Sequence, residues 1–129
     1  MKILACFVLL LALSAASAQQ APQQQQAQLR EGNFDIRFEP TAILQSNAEI
    51  RFDIKVNDAL RKPVHGATVT LQIETPDHQG TKLFKAAEMQ TGVYMAKPVF
   101  PSAGRWNVYV EARRDDKMSA RTIEYYVNK

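Results

Sequence analysis

From Phe34 onward, apolar and polar residues alternate with a period of two, and that alternation most limits the folds open to this chain. A two-residue period puts every second side chain on one face of a strand. Phe34, Ile36 and Phe38 alternate with Asp35, Arg37 and Glu39. Pro40 ends that run, because it has no N–H to give a ladder. Ile50, Phe52, Ile54 and Val56 alternate with Arg51, Asp53, Lys55 and Asn57. The pattern recurs in Val69, Leu71 and Ile73, in Trp106, Val108, Val110 and Ala112, and in Ile123, Tyr125 and Val127. Val93 to Phe100 reads as a strand interrupted near Pro98. Lys82 to Met89 alternates weakly, and its neighbours favour an edge strand over a helical turn.

Turn residues separate these runs. Asn57-Asp58 opens a loop that closes at His65-Gly66, and Pro76 to Gly80 forms another. Thr91-Gly92, Pro101 to Gly104 and Arg114 to Lys117 are tighter breaks. Short strands at this spacing, each with one apolar face, predict two antiparallel sheets around one core. The expected fold is all-β: an Ig-like antiparallel β-sandwich of about seven strands over residues 33–129. No internal repeat or second domain is visible.

The N-terminal segment has a different pattern. Lys2 precedes an apolar run from Ile3 to Leu13, and small residues follow, ending Ala16-Ser17-Ala18. That order of charge, apolar block and A-x-A is the signature of a secretory signal peptide over residues 1–18, cut between Ala18 and Gln19. The run is shorter than the roughly 20 apolar residues that a membrane-spanning helix needs. No membrane span is therefore expected after cleavage, and the expected location is periplasmic or secreted. Residues 19–32 read as a disordered, Gln-rich leader with few residues able to join a core.

Cleavage removes Cys6, the one cysteine, so no disulfide can staple the mature domain. It also removes Lys2, and the formal charge falls from +3 to +2. The remaining cations are interleaved with acids, as in Arg113-Arg114-Asp115-Asp116-Lys117. Nucleic-acid binding usually shows cations clustered on one face, so no nucleic-acid partner is expected. No Gly-x-Ser-x-Gly elbow, Gly-rich phosphate loop or His-Glu-x-x-His occurs. His65 and His78 are the two histidines, and both fall in predicted loops. The chain is read as having no catalytic residues and as no enzyme.

Three segments carry a family resemblance: Val56 to Val69, Thr91 to Ala96, and Pro101 to Ala112. In this order and spacing they resemble the YtkA-like domain and the related FixH family. Each also has a physical reading. Gly66 and Gly104 can end loops with backbone angles that other residues resist, and Pro63 stiffens the loop before Val64. Tyr94 can bury its ring and send its hydroxyl to a backbone partner at a sheet corner. Trp106 is expected at the centre of the core.

The resemblance implies an accessory or binding role, with another envelope protein as the expected partner. It also implies copper handling as a second reading, since FixH-like proteins are linked to copper delivery and YtkA-like domains to metal efflux. FixH-like proteins carry a membrane helix that this chain lacks after cleavage. YtkA-like domains often place Met and His after the third strand, where this chain has Thr75-Pro76-Asp77-His78. Cu(I) favours thioether and imidazole ligands. Among Met89, Met95, Met118, His65 and His78, the pair His78 and Met89 is the candidate metal site. No resident cofactor is otherwise expected. A third reading is a structural component of a surface assembly.

Overall fold

The structure is a computed structural model, and it describes residues 33–129. The expected signal peptide, its cleavage point at Ala18 and Gln19, and all of the expected Gln-rich leader lie outside the described residues. Eight strands follow in chain order: β1 (Asp35–Pro40), β2 (Phe52–Asn57), β3 (Thr68–Glu74), β4 (Thr81–Lys85), β5 (Ala87–Gln90), β6 (Val93–Ala96), β7 (Gly104–Arg114) and β8 (Lys117–Val127). They form two four-stranded sheets, ordered β1-β2-β6-β5 and β4-β3-β7-β8. Every ladder between them is antiparallel. No helix among the described residues is long and apolar enough to cross a membrane.

The alternating side chains meet between the sheets. Phe52, Ile54 and Val56 of β2 are fully buried, as are Leu71 and Ile73 of β3 and Val108 and Val110 of β7. Phe52 lies at the meeting point of an aromatic group. Its ring centroid is 5.6 Å from that of Tyr125 in an edge-on contact, 6.4 Å from Phe100 and 6.5 Å from Phe38. Tyr125 belongs to the opposite sheet, so these rings hold the two layers together.

Three features differ from the sequence expectation. The eighth strand comes from Lys82 to Met89, which is two strands belonging to different sheets. The chain crosses between layers at Ala86, which is buried and donates its N–H to the Val69 carbonyl at 2.9 Å. β8 begins at Lys117, well before Thr122: Ser119 and Arg121 interrupt the apolar alternation, but the ladder to β7 continues through them. Trp106 is buried near one end of the core, with its Nε1–H donating to the Ser102 carbonyl at 2.9 Å and its ring against Phe100.

The two sheets are joined differently at their two edges. On the β4/β5 side the chain itself crosses at Ala86. On the β1/β8 side, the Phe34 N–H donates to the buried Ser119 hydroxyl at 3.0 Å, and Arg121 Nη1 donates to the Ile36 carbonyl at 3.1 Å. The buried Ser119 hydroxyl is tolerated because it meets a backbone group, while Arg121 stays exposed at the seam.

Candidate functional site

At one end of the sandwich the β2–β3 loop folds back over the β5–β6 turn. Tyr94, on β6, is buried there and bridges the loop. Its hydroxyl donates to the Val64 carbonyl at 2.8 Å and accepts from the Ala67 N–H at 3.0 Å. Burial raises its pKa, so it remains the donor that this bridge requires.

Glu88, on β5, binds the same loop from the other side. Its Oε1 accepts from the Gly66 N–H at 3.1 Å, and its Oε2 accepts from the Gly92 N–H at 3.2 Å. His65 Nδ1 lies 3.0 Å from Oε1 and 3.1 Å from Oε2. Desolvation pushes this carboxyl upward, but the two backbone donors and His65 together hold it below its ordinary value. Arg114 completes the joint by donating from Nη1 to the His65 carbonyl at 3.1 Å. Glu88 and Arg114 were not legible as partners of this loop, because they lie far from it along the sequence.

The other histidine lies at the opposite end, in the β3–β4 turn. That turn is held by Thr75, whose hydroxyl accepts from the Gly80 N–H at 3.1 Å and donates to Asp77 Oδ1 at 2.6 Å. His78 has a φ of 60° and places Nδ1 2.6 Å from Glu74 Oε1. The hydrogen bond and charge of Glu74 raise the His78 pKa above its ordinary value of 6.5. In a proton NMR titration, His78 is expected to titrate above 6.5, and Glu74→Gln to bring it back. A raised folded pKa means that the pair stabilises fully below the unfolded value. That contribution is lost as pH rises through the folded one.

His78 and Met89 are not brought together. His78 sits in the turn where β4 begins, and Met89 lies on β5 beside the turn at the other end. The intervening strands run the length of the sandwich, roughly 30 Å at about 3.3 Å per residue. These two residues do not fit copper as a pair. Among the described residues, no three or more His, Cys, Asp or Glu side chains gather around a metal position. His65 and His78 each hold a loop through a carboxylate.

The joint at Tyr94 gives a direct stability prediction. Tyr94→Phe keeps the ring but leaves the Ala67 N–H and the Val64 carbonyl without their partner. The expected cost is about 1–3 kcal/mol, read as a lower urea midpoint with an unchanged slope.

A different part of the surface is concave. The outer face of β1 and β2 borders a groove of about 710 Å³ lined by Arg37, Glu39, Asp53, Lys55 and Arg121, among others. A second concavity of about 460 Å³ lies between that face and the β2–β3 loop, lined by Asp35, Arg37, Lys55, Asn57, Asp58 and Arg61.

Comparison with known proteins bears on family and fold. A crystal structure of a DUF4785 family protein from Legionella pneumophila resembles this chain with a TM-score of 0.54 and 10% sequence identity. The match covers 74% of this chain and 28% of that one, so this chain spans under a third of its length. At that identity the likeness is one of fold. No curated protein matches the sequence. The YtkA-like family profile matches residues 26–111, most of the sandwich. This eight-stranded sandwich belongs to the YtkA-like family.

Proposed function

We propose that the chain is an exported, non-catalytic binding or accessory domain, periplasmic or secreted, that acts on another envelope component. One observation carries this reading. The side chains most suited to chemistry serve the fold: His65, Glu88 and Tyr94 close one end of the sandwich, and His78 with Glu74 braces the other. The Lys2-to-Ala18 pattern supports export. A small sandwich offers partners its sheet faces, edges and loops.

The experiment is expression of the full chain with its own leader, followed by envelope fractionation and determination of the first residue. The expected outcome is recovery in the envelope or medium with Gln19 first. Recovery in the cytoplasm with Met1 intact contradicts the proposal.

A further inference from the structure

Alternation places Arg37 and Glu39 of β1 and Asp53 and Lys55 of β2 on the outer face of their sheet. The register sets Arg37 directly across from Lys55, and Glu39 directly across from Asp53. Like charges directly opposite one another repel. Asp35 partly offsets Arg37 at 3.1 Å, Lys55 has no such carboxylate among the described residues, and an anion between the two cations would relieve the remaining repulsion.

Just beyond this pair, the β2–β3 loop adds a third cation. Arg61 has a φ of 64°, which a residue with a Cβ resists. The loop imposes that angle. The Arg61 N–H donates to the Asp58 carbonyl at 2.9 Å, while Asp58 Oδ1 accepts from the Leu60 and Lys62 N–H groups at 2.8 and 2.9 Å. A strained backbone at a charged, exposed residue is a pointer to use of that residue.

Arg37, Lys55 and Arg61 line the same 460 Å³ concavity. Arg37 reaches Asp35 through Nε at 3.1 Å, and Asp58 caps its own loop; both carboxylates keep their charge, so the lining sets three cations against two acids. The side chains of Lys55 and Arg61 have no carboxylate partner among the described residues. Arg121, in the neighbouring groove, is occupied by the Ile36 carbonyl.

We infer that this concavity binds a phosphoryl group, held by Arg37, Lys55 and Arg61 with the Asn57 amide beside them. Guanidinium forks match the oxygens of a phosphoryl group, and an ammonium adds a compact third charge. The volume falls within the range of small-ligand sites, roughly 300–1,000 Å³. The inference rests on the reading of the chain as a binding domain and gives that domain a ligand class.

The test is titration of the mature protein with inorganic phosphate, followed by backbone amide NMR. Saturable shifts are expected at Arg37, Lys55, Asn57 and Arg61, and they weaken as salt is added. Lys55→Gln and Arg61→Gly are each expected to weaken binding about tenfold, as loss of one charge-assisted contact does. Glycine accepts the positive φ, so Arg61→Gly keeps the fold and its melting temperature, which separates lost binding from unfolding.

Two sources can supply the group. Co-sedimentation with phosphatidylglycerol vesicles but not phosphatidylcholine vesicles, lost in Arg61→Gly, identifies a lipid headgroup. Phosphate binding without sedimentation identifies a soluble phosphoester. Shifts spread over every surface cation, shifts unchanged in both variants, or no response in either arm would overturn the phosphoryl site. Export, read from the first residue, stands or falls separately.

Discussion

Gly92→Ala is expected to destabilise the domain by about 2–5 kcal/mol, a large share of the roughly 5–15 kcal/mol that holds a domain together. Gly92 has a φ of 77°, where an alanine is disfavoured by about 1–2 kcal/mol. An added Cβ would also lie 2.5 Å from Pro63 Cβ and 2.9 Å from Pro63 Cα. Pro63 cannot easily retreat. It bridges to Asn57, and the neighbouring Val64 N–H donates to the Val56 carbonyl at 2.9 Å. Overpacking of this kind adds about 1–3 kcal/mol. Gly66 provides the control. Its φ is 74°, but nothing lies within 4 Å of an added Cβ. Gly66→Ala should therefore show the backbone cost alone. Urea unfolding of both variants checks the ordering, and equal midpoints would mean that Pro63 yields.

Phe52→Ala is expected to cost about 3–5 kcal/mol, the usual range for removing a buried phenyl ring. Phe52 has no exposed surface and packs near rings from both sheets, Phe38 of β1 and Tyr125 of β8. The substitution leaves a cavity and also removes the edge-on contact with Tyr125, which is worth about 0.5–1.5 kcal/mol beyond burial. Its effect should be larger than that of Tyr94→Phe, because a whole ring is lost and not one hydroxyl. Urea unfolding on both variants tests this order.

Strands with one buried face were legible because burial imposes a period of two. Phe34 to Phe38, Ile50 to Asn57 and Trp106 to Ala112 announce themselves in this way. β4 and β5 did not, because both are edge strands with most side chains exposed. Nothing local marks Ala86 as the crossing point, since its N–H partner is Val69, on another strand. The start of β8 was hidden for a related reason. Ser119 and Arg121 read as breaks in the apolar face, yet each is satisfied by the backbone of Phe34 or Ile36, far back along the chain.

Tyr94 was legible because a tyrosine two residues beyond a glycine turn has a ring to bury and a hydroxyl to satisfy. Glu88 was not, since its donors at Gly66 and Gly92 depend on how the loop folds back. His78 and Met89 had suitable ligand chemistry, but strand direction placed them at opposite ends. The concavity around Arg61 needed the register of β1 against β2 and the turn at Asp58, neither of which composition reports.

The histidines of this domain brace its loops, and strand direction keeps His78 away from Met89, so the two are not expected to form a Cu(I) site together. Cu(I) titration of the mature protein against a competing chelator, beside the His78→Gln/Met89→Leu double variant, tests it most directly. Equal apparent affinities for the two proteins are predicted. Tighter binding by the wild type, lost in the double variant, would contradict it.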